Sequence, residues 1–377
     1  MNRSATRTPL AQLFAERIRE RGAITFAEYM RECLYHAEFG YYSRAAATRF
    51  ADYYTSVDVH PIFGRLLARQ LAEMWALLGR PEPFWVVEAG AGTGRLAKHV
   101  LDFAAGDLRE FYAALRYVAV ERSPQRRAAQ ASALDAHIAA GRASSAADLP
   151  PKIPAGCIFS NELLDAMPVH RVVRDAGALR EIYVGHDREE FREQLGALST
   201  PALAEYFQAQ GIELRPGQQA EAGLAACEWI AEAGRRLARG FVLTVDYGHE
   251  APELYNERHL RGTLLAYQQH RASEDFYRAP GEQDLTAHVN FTALDLWGRR
   301  AGLERTGRVS QAQFLLALGR DTQFAELYEE GQSEVERVRA RLLLKNLLHP
   351  EGMGETFQVF IQHKGVANPP LTGLQAI

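Results

Sequence analysis

Cysteine is scarce in this chain of 377 residues. Its three cysteines, Cys33, Cys157 and Cys227, stand far apart and form no C-x-x-C pair, which argues against a disulfide framework and against a cysteine zinc site. Excess charge of one sign is absent too. The 43 Lys and Arg against 47 Asp and Glu leave a formal net charge of −4, so no bulk attraction draws the chain to a nucleic-acid backbone. No apolar run approaches the roughly 20 residues that span a bilayer, and the run from Phe84 already stops at Glu88. There is no His-Glu-x-x-His, P-loop or metal-ligand cluster, no internal repeat and no low-complexity tract. What remains is a soluble chain, 47% hydrophobic, with apolar material for one large or two ordinary domains. Arg3 and Arg7 without a nearby acid are a faint transit-peptide feature. Leu10, Leu13, Phe14 and Ile18, spaced among Glu16, Arg17, Arg19 and Glu20, instead predict a folded amphipathic helix and a cytoplasmic protein with no cleaved leader.

The pattern from Pro61 to Leu78 predicts a helix with one buried face, carried by Ile62, Phe63, Leu66, Leu67, Leu71, Met74, Trp75 and Leu78. After Pro81 and Pro83, Phe84 to Glu88 reads as a fully buried strand. Gly90, Gly92 and Gly94 follow, and then a helix from Arg95 to Ala105. A second strand, Arg116 to Glu121, leads into Ser123-Pro124, a helix start with Ser as cap and Pro in the first turn, and a helix to about Ile138. Further strands are predicted at Cys157 to Asn161 and Gly240 to Gly248. Strands alternating with helices predict a parallel sheet covered on both faces. Between them, Val169 to Val173 and Leu179 to Val184 read as a hairpin around Asp175-Ala176-Gly177, and Glu221 to Arg239 as a helix. That stretch is too long for an ordinary connection and reads as an insertion over the carboxyl edge of the sheet. The tail offers strands near Gly262 to Tyr267 and Phe357 to Gln362 and a charged helix at about Glu334 to Leu348.

A glycine turn between strand and helix lets a ligand approach the backbone and meet free N–H groups at the helix start. A dinucleotide fingerprint G-x-G-x-x-G would need glycine at position 95, which is Arg95, so the NAD pattern fails. The order Glu88-x-Gly90-x-Gly92-x-Gly94 instead resembles the first motif of class I S-adenosylmethionine methyltransferases. Glu121, closing the second strand, lies where a carboxylate accepts hydrogen bonds from ribose hydroxyls. That identifies a ribose but not the cofactor, and a solvated strand-end acid is the alternative. Glu88 closes a buried strand and needs a donor, either the methionine ammonium or the turn's own N–H groups.

Further segments carry a more specific resemblance: Gly40-Tyr41-Tyr42, Asp52 to Ser56 with Phe63-Gly64, Asn161 to His170, Asp246-Tyr247-Gly248 and Asp284 to Phe291. In this order, over about residues 10 to 364, the chain resembles the MidA family, whose mitochondrial members are complex I assembly methyltransferases. Two departures stand out: Ala91 where the family usually has proline, and Val57-Asp58 where it has Pro-Glu. The resemblance implies a class I methyltransferase (Rossmann-like) α/β fold with S-adenosylmethionine as donor and S-adenosylhomocysteine as product. It also implies methylation of arginine in a protein substrate, a complex I subunit or related target, in the mitochondrial matrix if the source is eukaryotic. By the same resemblance Tyr54, Thr55 and Ser56 pack over the cofactor, unless Thr55 and Ser56 cap the following helix. The expected division is a helical region over 1–80, a cofactor-binding core over 81–168 and 240–377, and an inserted hairpin and helical cap over 169–239.

Methyl transfer from a sulfonium is an in-line displacement, so alignment and exclusion of water dominate. A guanidinium nucleophile must be held by carboxylates that orient it and accept the proton it loses. Glu162 and Asp165, three apart just after a strand, would share one face of a helical turn and are the expected catalytic pair; the alternative is that Asn161 caps that helix and the two acids favour its positive end. Cofactor contacts are expected from Glu88, Gly90, Gly92, Gly94, Glu121, Ser123 and Asn161, and substrate contacts from Asp246, Tyr247, Asp284 and His288. Core packing is the alternative for Tyr247, and a structural hydrogen-bonding role is the alternative for His288. The competing activities are methylation of a small molecule, a scaffold whose cofactor serves stability alone, and, distantly, an NAD-dependent dehydrogenase.

Overall fold

The computed structural model describes residues 8–43, 61–187, 190–269, 271–328, 331–349, 353–367 and 369–376. These divide into two compact units. One draws on Met1–Tyr53, Leu164–Trp229 and Gly248–Trp297, the other on Tyr54–Leu163, Ile230–Tyr247 and Gly298–Ile377.

The second unit is built on a sheet of seven main strands: β1 (Phe84–Ala89), β2 (Leu115–Val120), β3 (Ala143–Ala146), β4 (Gly156–Asn161), β5 (Gly240–His249), β6 (Glu304–Ser310) and β7 (Phe357–Lys364). Their order is β6-β7-β5-β4-β1-β2-β3. The strands from β5 to β3 are mutually parallel, and β7 runs antiparallel to both of its neighbours. Strand order reverses between β1 and β4, the point where doubly wound sheets bind ligands outside the carboxyl ends of their strands. The register aligns those ends: Ala89 lies opposite Val120 and Ser160, and Asn161 opposite Val245.

Local sequence explains the elements. β1 is continuously apolar up to Glu88 because both its faces are buried. Helix α1 (Ile62–Leu77) buries Ile62, Phe63, Leu66, Leu67, Leu71, Met74 and Trp75, the stripe its periodicity predicts. It runs close to helix α2 (Arg95–Asp107): a Cβ on Gly64 would stand 2.6 Å from the Cβ of His99, so glycine sets that spacing. Helix α3 (Pro124–Ala133) begins as predicted, with Ser123 accepting a hydrogen bond from the N–H of Arg126 at 3.4 Å.

The first unit is α+β. Its five-stranded sheet is antiparallel throughout, built on the hairpin of His170–Asp175 and Ala178–Asp187. Ala176 and Gly177 both have positive φ (46° and 82°), which a tight two-residue hairpin turn requires. A separate three-stranded sheet contains Leu265–Gln268 and Asp284–Thr286. Helices Pro9–Arg21 and Phe26–Tyr35 are tied to the late segment of this unit. The Thr8 hydroxyl donates to the Pro280 carbonyl at 2.8 Å and the Tyr29 hydroxyl to that of Phe276 at 2.9 Å.

This division differs from the expected one. The helical stretch over 1–80 is not one region, since α1 packs into the core of the second unit while the two earlier helices belong to the first. Residues 248–297, expected in the cofactor core, join the insertion instead. The physical reason is that an amphipathic pattern announces a buried face but not what covers it.

Candidate functional site

The glycine turn follows β1 directly. Gly90, Gly92 and Gly94 all have positive φ (74°, 54° and 83°), so the chain takes three left-handed steps that few other residues accept. Ala91 keeps an ordinary conformation between them, and its N–H donates to the Val120 carbonyl at 2.9 Å, tying the turn to the end of β2. Gly94 is the N-cap of α2 and supplies no side-chain acceptor, so the positive end of a 13-residue helix opens onto the turn with no acid in its first turn.

Glu121 and Gln130 brace this loop from outside. One Glu121 oxygen accepts the Gly92 N–H at 3.1 Å and the other the Ser123 N–H at 2.9 Å, while Arg126 stands 3.9 Å away. Gln130 is fully buried on α3. It donates to the Gly92 carbonyl at 2.8 Å and accepts the hydroxyl of Ser145. A Cβ on Gly92 would meet nothing within 4 Å, whereas one on Gly94 would stand 3.2 Å from Gln130 Cγ. The turn is therefore rigid below and open above Gly92. That is the cradle a nucleoside thioether requires: open space over a glycine, a carboxylate at the end of β2 for ribose hydroxyls and an uncapped helix for a carboxylate.

Glu88 is buried, and its partner is the Tyr117 hydroxyl at 2.7 Å, where the sequence suggested the turn's N–H groups or a ligand ammonium. Burial pushes its carboxyl up to about 8, against the pull of the Tyr117 hydrogen bond and with a small push from the Glu121 charge.

The loop after β4 departs from expectation. No helix follows Asn161: residues 162–169 form turns and bends, and Glu162 itself has φ 52°. The shared helical face of Glu162 and Asp165, and Asn161 as helix cap, are thereby corrected; a proline at 168 and a left-handed residue at 162 leave no room for a helical run. Asn161 donates its amide to Glu162 at 3.1 Å. Asp246, expected to contact substrate, has no exposed surface, and its carboxylate accepts the N–H groups of Leu163 at 3.2 Å and Tyr247 at 3.0 Å. Tyr247 packs edge-on against Phe357, with ring centroids 5.4 Å apart, which matches its core-packing alternative. Ser123 serves as helix cap and as donor to Glu121. Tyr54, Thr55 and Ser56 lie outside the described residues.

In the first unit Asp165 and Asp284, both buried, are served by hydroxyl groups. Thr286 donates to Asp165 at 3.0 Å and Tyr42 to Asp284 at 2.8 Å. Asp284 and Thr286 are two residues apart on one strand and so share a face, and Tyr267 is the cross-strand partner of Asp284. The Tyr267 hydroxyl is pushed up by burial first and then by the negative charges of Asp165 and Asp284. Tyr35 donates to the carbonyl of Ala166 at 3.0 Å. His288 lines a small cavity of the same unit with Met167, Tyr206, Glu221, Tyr255 and Asn290. Burial, with the nearby charges of His249 and His259 added, lowers its imidazole to about 4. Among the described residues no group of three or more His, Cys, Asp or Glu is placed to hold a metal ion, and no helix is long and apolar enough to cross a membrane.

Tyr117, Gln130, Leu163, Thr286 and Tyr267 escaped the sequence reading. Only Gln130, a polar residue on the face of a helix turned to the sheet, left a trace in the pattern; Tyr117, Thr286 and Tyr267 depend on pairing across strands, and Leu163 on a bond from its N–H to the Asp246 side chain.

Comparison with known proteins agrees with this geometry. Residues 66–309 match the family of S-adenosyl-L-methionine-dependent methyltransferases. The chain is 30% identical to the mitochondrial protein arginine methyltransferase NDUFAF7 of Danio rerio, over 92% of this chain and 85% of that one. It is 28% identical to the Drosophila melanogaster homolog, over 95% of this chain and 85% of the relative. A crystal structure of a superfamily member from Burkholderia thailandensis, bound to S-adenosyl-homocysteine, superposes with a TM-score of 0.85 at 31% identity, covering 97% of this chain and 94% of that one. The fold is that of class I methyltransferases, the cofactor is S-adenosylmethionine, and the chain belongs to the S-adenosyl-L-methionine-dependent methyltransferase family.

Proposed function

We propose that the protein methylates arginine in a protein substrate, with the cofactor seated on the glycine turn. Bound S-adenosylmethionine supplies an electrophilic methyl group on a sulfonium. The chain's own residues orient and exclude: the left-handed glycines leave room for the ligand, Glu121 receives the ribose hydroxyls, and the start of α2 receives the methionine carboxylate.

The observation that carries the arginine reading is the pair Asp165 and Asp284 on one face, each fixed by a hydroxyl donor and both acting on Tyr267. Asp284 lies opposite Tyr267, and Thr286, two residues further along the same face, holds Asp165, an arrangement that suits two carboxylates on a planar guanidinium. One holds the group and the other accepts the proton lost when nitrogen is alkylated. Glu162, bonded to Asn161 in the other unit, gives up its place in the acidic pair to Asp284. The names of the relatives support the same acceptor. The MidA resemblance directs the target to a complex I subunit, in the bacterial cytoplasm or the mitochondrial matrix.

The test is incubation with methyl-labelled cofactor and total cell protein, followed by hydrolysis and separation of amino acids. Label in methylarginine supports the reading. Label confined to metabolites selects a small-molecule acceptor, and cofactor binding with no transfer at all selects a scaffold.

A further inference from the structure

We propose that Asp246 and Leu163 act as one device that shapes the cofactor seat: Asp246 fixes the main chain of Leu163, and Leu163 presents an apolar wall at Gly90. Asp246 is a positioning residue here and touches no ligand. The inference rests on the reading that the cofactor sits on the glycine turn.

Asp246 is completely buried near the carboxyl end of β5, and each of its oxygens receives a main-chain N–H, from Leu163 and from Tyr247. A buried carboxylate with two converging donors is a fixed anchor, because losing either donor exposes its charge to an apolar interior. The anchored segment needs such a hold. The Glu162 N–H makes the last sheet bond, to the Val245 carbonyl at 2.9 Å, and the chain then turns left-handed at Glu162, where no helix takes over the next donors. The Leu163 N–H is the first group beyond the sheet, and Asp246 receives it.

The consequence reaches the turn. Leu163 Cδ1 lies 2.9 Å from the point where a Cβ on Gly90 would stand, closer than real Cβ contacts allow. The Leu163 side chain therefore lies directly against Gly90, and it occupies the space that any side chain at position 90 would need. Leu163 is itself only half-buried, an apolar side chain with surface left uncovered beside a nucleoside-binding turn. The apolar atoms of a bound nucleoside thioether match that surface. A polar wall here would lose solvation when the ligand bound.

The test is calorimetric titration of S-adenosylhomocysteine into the full-length protein, the variants Asp246→Asn and Leu163→Ala, and the double variant, with the unfolding temperature of each recorded without ligand. Each single change is expected to weaken binding about fivefold, and the double change no more than the worse single one, because both remove the same wall. Leu163→Met, apolar and of similar volume, is expected to bind as the unaltered protein does. Unaltered affinity in Leu163→Ala overturns the proposal, as do losses that multiply in the double variant. Should Asp246→Asn fail to fold, the Leu163→Ala and Leu163→Met pair decides alone. Gly92→Val separates this inference from the reading beneath it. Undiminished affinity there removes the seat itself, whereas lost affinity there with normal binding by Leu163→Ala removes only the wall.

Discussion

The Thr286 hydroxyl donates to the Asp165 carboxylate at 3.0 Å, joining residues 121 positions apart in the chain. Asp165 sits in a loop of turns and bends, and Thr286 on a strand that also carries Asp284. The bond thus ties an acid of an irregular loop to a strand of the sheet.

Asp284→Asn and Thr286→Val are expected to damage acceptor use and spare the cofactor. If Asp165 and Asp284 hold the acceptor as proposed, replacing Asp284 removes one of the two charges, and kcat/KM for methyl transfer should fall about tenfold or more. Thr286→Val removes only the donor that orients Asp165, so a smaller loss is expected. The affinity for S-adenosylhomocysteine should stay within about twofold in both, since both residues lie in the unit without the glycine turn. Initial rates and calorimetry on the same preparations check this; a parallel fall in cofactor affinity would sink it.

Gln130→Ala should loosen the glycine turn. It strips the Gly92 carbonyl of its side-chain donor and leaves the Ser145 hydroxyl without its acceptor, the loss of two part-buried hydrogen bonds at about 0.5–1.5 kcal/mol each. Thermal unfolding should move down by several degrees, and S-adenosylhomocysteine should bind more weakly. A variant as stable and as tight-binding as the original would contradict the brace.

Glu88 makes stability fall as pH rises from the acid range through about 8. Its folded value of about 8 lies above the ordinary carboxylate value, so the folded state binds the extra proton. The contribution is complete below about pH 4.5 and is lost as pH rises through about 8. Glu88→Gln keeps an acceptor for Tyr117 and has no charge to bury. Its stability relative to the original protein should therefore improve by at least about 1 kcal/mol between pH 5 and pH 9. Denaturant melts at the two pH values provide the measurement, and a constant difference would argue against a raised Glu88.

For His288 the sign is reversed. Burial and its two histidine neighbours hold it near 4, below the ordinary imidazole value of 6.5, so it is neutral at pH 7. The stability it contributes is present above about pH 6.5 and is lost as pH falls through about 4. An NMR titration should show its ring resonance shifting far later on acidification than that of a surface histidine, and His249→Asn should bring the midpoint back toward 6.5. A midpoint at the ordinary value would mean that the ring is solvated.

Much of the second unit was legible from the sequence because its signals are local. The continuous apolar run of β1, the left-handed glycines after it and the Ser123-Pro124 start of α3 each declare themselves within a few residues, and the chain folds there as they predict. The failures share one physical cause. Glu162 and Asp165 looked like a helical pair because spacing counts residues, while the backbone at Glu162 is left-handed and Pro168 closes the loop. Asp246 read as a substrate ligand because a strand-end acid has no way of announcing that two main-chain N–H groups already claim it. The sequence by itself determined the nucleoside seat: small residues at fixed offsets after a buried strand, and an acid one strand away, are short-range requirements. Tertiary structure alone decided which acids stand together. Asp165 and Asp284 are brought to one face by strand pairing and a side-chain hydrogen bond between distant segments, and neither leaves any periodicity in the chain.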